Sequence, residues 1–159
     1  EQWTANGKLA VRTADASESA GLVWRQHGTD TQLQLSGPLG VGATSIHSDG
    51  KRLDIRRGDE HQTLDISTPD AIVRSTGWDL PLHALTYWLK GLPAPEVKIQ
   101  QIELNTQTQL LQSLRQDGWD IRFEKYGQFQ GYILPTRLQI ERGATRVKLA
   151  LSHWQTLPR

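Results

Sequence analysis

Five histidines are the first residues to test for chemistry, and they stand apart: His27, His47, His61, His83 and His153. A zinc site usually draws its ligands at close, repeated spacing, with two imidazoles one helical turn apart as a common seed. None of the five has such a neighbour, so solvated or structural imidazoles are the expectation. The sequence has no cysteine, which removes disulfides, thiolate metal sites and thiol nucleophiles. Asp54, Asp65, Asp120 and Glu124 alternate with apolar residues in short runs, which places them on a wet face. Asp79 and His83 are the candidates for a hydrolase acting on lipid or glycan, but they lack the oriented partners that catalysis needs. "GPLGVG" at residues 37–42 has neither the Gly-Lys-Ser/Thr ending nor the following helix of a phosphate loop. The expectation is a protein that is not an enzyme and carries no metal or cofactor.

The apolar residues say more. Six tryptophans are many for 159 residues, and Trp24, Trp88, Trp119 and Trp154 fall on apolar faces. Core filling explains them simply. A cavity for an apolar ligand, lined by bulky side chains, is the sharper alternative. The stretch "SGPLGVGATS" adds a second puzzle. Pro38, Leu39 and Val41 sit on a glycine-flanked tip without a charge in ten residues. Leu39 can fold back as a cap on the sheet, or the tip can enter a greasy partner or membrane interface.

The elements that position these residues are mostly strands. Apolar residues recur every second position at Leu9 and Val11, Leu22 and Trp24, Leu33 and Leu35, Leu53 and Ile55, and Leu64 and Ile66. They do so again at Trp119, Ile121 and Phe123, at Leu138 and Ile140, and at Val147, Leu149 and Leu151. One apolar and one wet face is the pattern of an antiparallel sheet covered on one side. Asp49-Gly50 and Asp117-Gly118 mark hairpins. "VKIQQIELN" is a strand whose odd step from Ile99 to Ile102 marks a bulge, and "TQLLQSLRQ" is read as a strand because a hairpin turn follows it. Between residues 68 and 91 the period becomes helical. Pro69 opens one helix and Gly77 ends it. A second follows Pro81, with Leu82, Leu85 and Leu89 on one stripe, Trp88 beside it, and Gly91 and Pro93 as its stop. About six strands, a helical hairpin and about five more strands result, roughly 11 strands in a mainly β fold with some α. The helices are placed to cover the apolar face as a lid.

Length 159, 36% hydrophobic and 22% charged residues fit a single folded domain over 1–159. A net charge of +1 argues against a nucleic-acid partner held by long-range attraction. No apolar run nears the ~20 residues that span a bilayer.

Taken in order, "GKLAVRT", "LSGPLG", "GWDLPLHALTYWLKGLPAP", "QDGWDIRFEKY" and "LPTRLQIERGATRVKLALSHW" resemble the outer-membrane lipoprotein receptor family of Gram-negative bacteria, LolB. The resemblance spans nearly the whole chain. It implies an unclosed antiparallel β-barrel with a helical lid and a hydrophobic cavity for the acyl chains of lipoproteins. It implies a periplasmic carrier of similar fold, LolA, as the donor, and release into the inner leaflet of the outer membrane. By its place in "GPLG", Leu39 matches the family's exposed leucine, with Pro38 and Val41 beside it in the membrane-inserting loop. Family members are anchored at the periplasmic face of the outer membrane by a lipidated N-terminal cysteine. This sequence lacks it, so the resemblance puts native anchoring in a segment outside this sequence. On this reading Trp24, Leu33, Leu35, Leu53, Ile55, Leu64 and Ile66 line the cavity from the sheet, and Ile72, Leu82, Leu85, Trp88 and Leu89 line it from the lid. The alternative is a non-enzymatic envelope protein-binding module whose barrel core is solid.

Overall fold

The alternation read above becomes one sheet in the computed structural model, which describes residues 2–15, 17–36, 44–49, 51–57, 59–65, 82–95 and 97–157. In chain order the elements are β1 (Gln2–Arg12), β2 (Ser17–His27), β3 (Asp30–Ser36), β4 (Thr44–Ser48), β5 (Arg52–Arg57), β6 (Glu60–Asp65), α1 (Leu82–Trp88), β7 (Ile99–Leu104), β8 (Leu111–Gln116), β9 (Trp119–Phe129), β10 (Tyr132–Arg142) and β11 (Thr145–Leu157). The 11 strands order as β6-β5-β4-β3-β2-β1-β11-β10-β9-β8-β7, an antiparallel sheet left unclosed between β6 and β7. Every neighbour is also a neighbour in sequence except β1 and β11, as tight hairpins dictate. "TQLLQSLRQ" does supply a strand, β8, and the register of β7 on β8 shifts between Ile99 and Gln101, where the bulge was expected. The first expected helix, with Ile72, lies outside the described residues, as do Pro38, Leu39, Val41, Ile66 and Asp79.

The chain packs as two compact units. The first comprises residues 1–8, 19–81 and 152–159, the second residues 9–18 and 82–151. In the first, cross-strand pairing builds rows on the apolar face. Trp24 lies opposite Leu33, Leu33 opposite Ile46, and Ile46 opposite Ile55. In the second, Val147 pairs with Ile140, Ile140 with Ile121, and Ile121 with Leu114. Such directly opposed apolar pairs are the unit of sheet stabilisation.

α1 closes against the second unit and ends as its sequence directs. Gly91 N–H donates to Trp88 C=O at 2.9 Å and Leu92 N–H to Tyr87 C=O at 3.1 Å. That pair of bonds is a Schellman stop, and it needs the left-handed backbone that Gly91 adopts at φ +79°. A methyl group there would also meet Pro135 and Tyr126 at 3.4 Å.

The strands read at Trp119–Phe123 and Leu138–Ile140 run on further than their alternation, as β9 and β10, to meet in a long hairpin. Its turn is Gln130-Gly131, with φ of 51° and 87°. Register shifts around Arg137 break the alternation toward the turn, so the tip-side halves of both strands went unannounced. Pro135 precedes the stretch Arg137–Arg142 that pairs with β11, a place where a strand tolerates a missing N–H.

Candidate ligand-binding face

In the first unit three tryptophans from neighbouring strands meet on the apolar face. The Trp3 and Trp24 rings stack with centroids 5.9 Å apart, and Trp154 tilts against Trp3 at 5.2 Å. Trp3 on β1 was missed by the sequence reading, although it shares odd parity with Leu9 and Val11 on the same strand. Of the sheet residues expected to line a cavity, Trp24, Leu33, Leu35 and Leu53 are buried and Ile55 is half-buried. Leu64 is fixed as a backbone position opposite Leu53.

The polar end of this face is a small network. Gln26 Oε1 accepts from Trp24 Nε1–H at 2.9 Å and from the Thr31 hydroxyl at 2.7 Å, while its Nε2 donates to Gly28 C=O at 2.8 Å. All four residues belong to the β2–β3 hairpin and its turn. The network lets the indole N–H and the hydroxyl be buried without the penalty of an unpaired donor.

In the second unit Leu85, Trp88 and Leu89 of the expected lid stripe are buried, and Leu82 opens α1. They are held through Gln116, whose side chain is fully buried. Its Oε1 accepts from Trp88 Nε1–H and from Ala94 N–H, both at 2.8 Å. Its Nε2 donates to the carbonyls of Ala94 and Val97, both at 3.0 Å. One amide thus ties α1 and the chain after it to the end of β8. The sequence reading missed Gln116 too. A glutamine two residues beyond Leu114, at the same parity, was the available signal. Tyr126 completes this region. Its hydroxyl donates to Leu111 C=O at 2.5 Å, and burial pushes its pKa up to about 12. It is a neutral structural phenol rather than an acid or base at ordinary pH.

The titratable groups are elsewhere. His47 Nε2 lies 2.6 Å from Asp30 Oδ1 and His61 Nε2 lies 3.8 Å from Asp54 Oδ1, all four well exposed. Arg115 holds Asp120 by two hydrogen bonds at 2.7 and 2.9 Å. Those bonds draw the Asp120 carboxyl below its ordinary range and push the arginine up. The Asp49 carboxyl is also lowered, because it accepts the backbone N–H groups of Arg52 and Lys51 in its turn. Among the described residues no group of three His, Cys, Asp or Glu side chains could hold a metal, and no buried side-chain nitrogen or oxygen lacks a partner. Both faces are apolar and buried in this structure, with their polar fringes already satisfied. That suits binding hydrocarbon.

Known proteins resemble this chain in sequence and in fold. The family profile described as outer membrane lipoprotein LolB matches residues 1–154. The outer-membrane lipoprotein LolB of Marinobacter nauticus is 37% identical over 161 residues, covering 98% of this chain and 76% of that protein. That of Alkalilimnicola ehrlichii is 35% identical over 159 residues, covering 98% and 78%. Among solved structures, a LolA superfamily protein from Nitrosomonas europaea superposes with a TM-score of 0.59 at 13% identity, covering 99% of this chain and 88% of that one. A putative outer membrane lipoprotein-sorting protein domain from Vibrio parahaemolyticus gives 0.60 at 11% identity, covering 97% and 84%. At such identities the likeness is one of fold.

Proposed function

The chain belongs to the LolB family of outer membrane lipoproteins, and from that premise we propose that it receives acylated lipoproteins from a periplasmic carrier, LolA, and inserts them into the inner leaflet of the outer membrane. It works as one lipoprotein-binding domain, an unclosed barrel under a helical lid, without enzymatic chemistry. A lipidated cysteine outside this sequence holds it to the periplasmic face of the outer membrane. The observation that carries the reading is the stacked Trp3, Trp24 and Trp154 cluster beside the row from Leu33 to Ile55. It is an apolar cluster, buried in this structure, whose Gln26 network satisfies its own polar groups.

Energetics explain why such a receptor needs no fuel. Burying an acyl chain gains about 0.8 kcal/mol per CH₂, so a chain of roughly fifteen carbons gains on the order of 12 kcal/mol. Release into water is then too slow to be useful. Passage from one apolar site directly to the next avoids that step. The direction follows from the affinity difference alone, at about 1.4 kcal/mol per tenfold. Acyl chains lie against Trp24, Leu33, Leu35, Leu53, Ile55, Leu64 and Ile66, and Ile72, Leu82, Leu85, Trp88 and Leu89 close over them. Leu39, between Pro38 and Val41, enters the membrane at delivery.

The test mixes this protein with carrier-bound lipoprotein and follows the cargo. Transfer to the wild type, with Leu39→Glu still accepting cargo but failing to deliver it to vesicles, is the expected outcome. A chain that captures no acylated protein would overturn the reading and favour a binding module with a solid core.

A further inference from the structure

The end of the β9–β10 hairpin is apolar, exposed and unsupported. The ladder of β9 with β8 ends at Arg122 opposite Ser113, and that of β10 with β11 ends at Arg137 opposite Ala150. Tyr126, Leu134 and Pro135 still pack against the second unit, and residues 128–133 beyond them continue as a two-stranded ribbon around Gln130-Gly131. Tyr132 and Ile133 at its tip are 57% and 53% exposed, the most exposed of the large hydrophobic side chains described. Adjacent residues of a strand point to opposite faces, so the tip is apolar on both sides. Phe129, half-exposed, pairs with Tyr132, and its ring lies over Gly127, where a Cβ would come within 3.0 Å of it.

The base of the same ribbon is basic. Lys125 lies directly opposite Arg137, and both are exposed. Like charges opposed across a ladder are unfavourable. Among the described residues neither has an ion-pair partner, and the adjacent Glu124 pairs with neither. At about 3.4 Å per residue the two cations stand roughly 13 Å behind the tip. Apolar and aromatic side chains ahead of uncompensated cations match a bilayer interface. There aromatic rings sit at headgroup level and basic side chains meet anionic phosphates.

We propose that the β9–β10 hairpin tip is a membrane contact separate from the Leu39 loop, with Tyr132 and Ile133 entering the interface and Lys125 and Arg137 binding anionic phospholipid headgroups. The contact rests on the outer-membrane reading only for the kind of surface involved. Cargo capture from the carrier, measured without vesicles, reads that function separately.

Flotation of the full chain with neutral phosphatidylcholine vesicles, and with vesicles carrying a third phosphatidylglycerol, tests it. Lys125→Gln with Arg137→Gln should lower affinity for the anionic vesicles about thirtyfold and leave the neutral ones unchanged, at roughly fivefold per cation. Tyr132→Ser with Ile133→Ser should weaken binding to both by about tenfold or more. Both variants should keep the wild-type melting temperature and cargo capture, because the changed side chains are exposed. Unchanged vesicle binding in either double variant, or a wild type that binds no vesicles, overturns the proposal. So does a defect confined to transfer from the carrier, which would make the tip a protein contact instead.

Discussion

Gln26 and Gln116 are both strand-end amides on the apolar side of the sheet, and both are committed to hydrogen bonds. Their partners differ. Gln26 bonds only within its own hairpin, to Trp24, Thr31 and Gly28. Gln116 reaches across the second unit to Trp88, Ala94 and Val97. The first amide finishes the edge of an apolar face without bringing another element onto it. The second fixes a helix in place. The same side chain thus serves a hairpin in one unit and a helix in the other, by the choice of partner.

The comparison breaks if the two amides prove interchangeable in effect. Gln116→Leu leaves the Trp88 indole N–H, the Ala94 N–H and two carbonyls unpaired in a buried place. It should cost about 4 kcal/mol, since each orphaned buried group is worth about 1–3. Denaturant unfolding checks the total, and hydrogen exchange should show α1 losing protection first. Gln26→Leu orphans an indole N–H and a hydroxyl near a turn that water can reach, and should cost about 2 kcal/mol. Its exchange should rise in β2 and β3 and leave α1 untouched. Equal losses with the same amides exposed would erase the distinction.

Acid supplies the smallest test. Asp49 and Asp120 have folded-state pKa values below their ordinary ones. Each therefore adds stability that is complete above about pH 5 and is lost as pH falls through its lowered folded value. Asp120 is half in solvent, so the screened Arg115 pair contributes no more than about 0.5 kcal/mol. Asp120→Asn should lower stability at neutrality by that small amount and shallow the decline in melting temperature between about pH 5 and pH 2, so that the two proteins converge in acid.

Much of this architecture could be read from spacing. Strands with an apolar parity, the Asp117-Gly118 turn and the bulge after Ile99 are local facts, and local facts survive in sequence. The stop of α1 at Gly91 is local in the same way. The amides were not legible, because Gln116 meets Trp88 28 positions away and Ala94 22 away. A glutamine at an inward position looks like a mistake until its partners are known. Trp3 was legible in principle, since the parity of Leu9 and Val11 extends back to it. The β9–β10 tip was hidden for another reason. The irregularity around Arg137 shifts the register, so Phe123 and Tyr126 fall out of phase and the run from Glu124 to Pro135 looks like loop. The ends of the expected site, Leu39 and Ile72, stand as proposals for mutagenesis.

The strand order has its own consequence. Nine of the ten strand pairings join neighbours in the chain, but β1 and β11, which sit side by side, must find each other across a chain running from residue 12 to residue 145. That meeting spans almost the full contour of the polypeptide, and such long-range closures are slow. Clipping the last dozen residues would therefore not trim a border; it would unstitch the fabric along its middle seam.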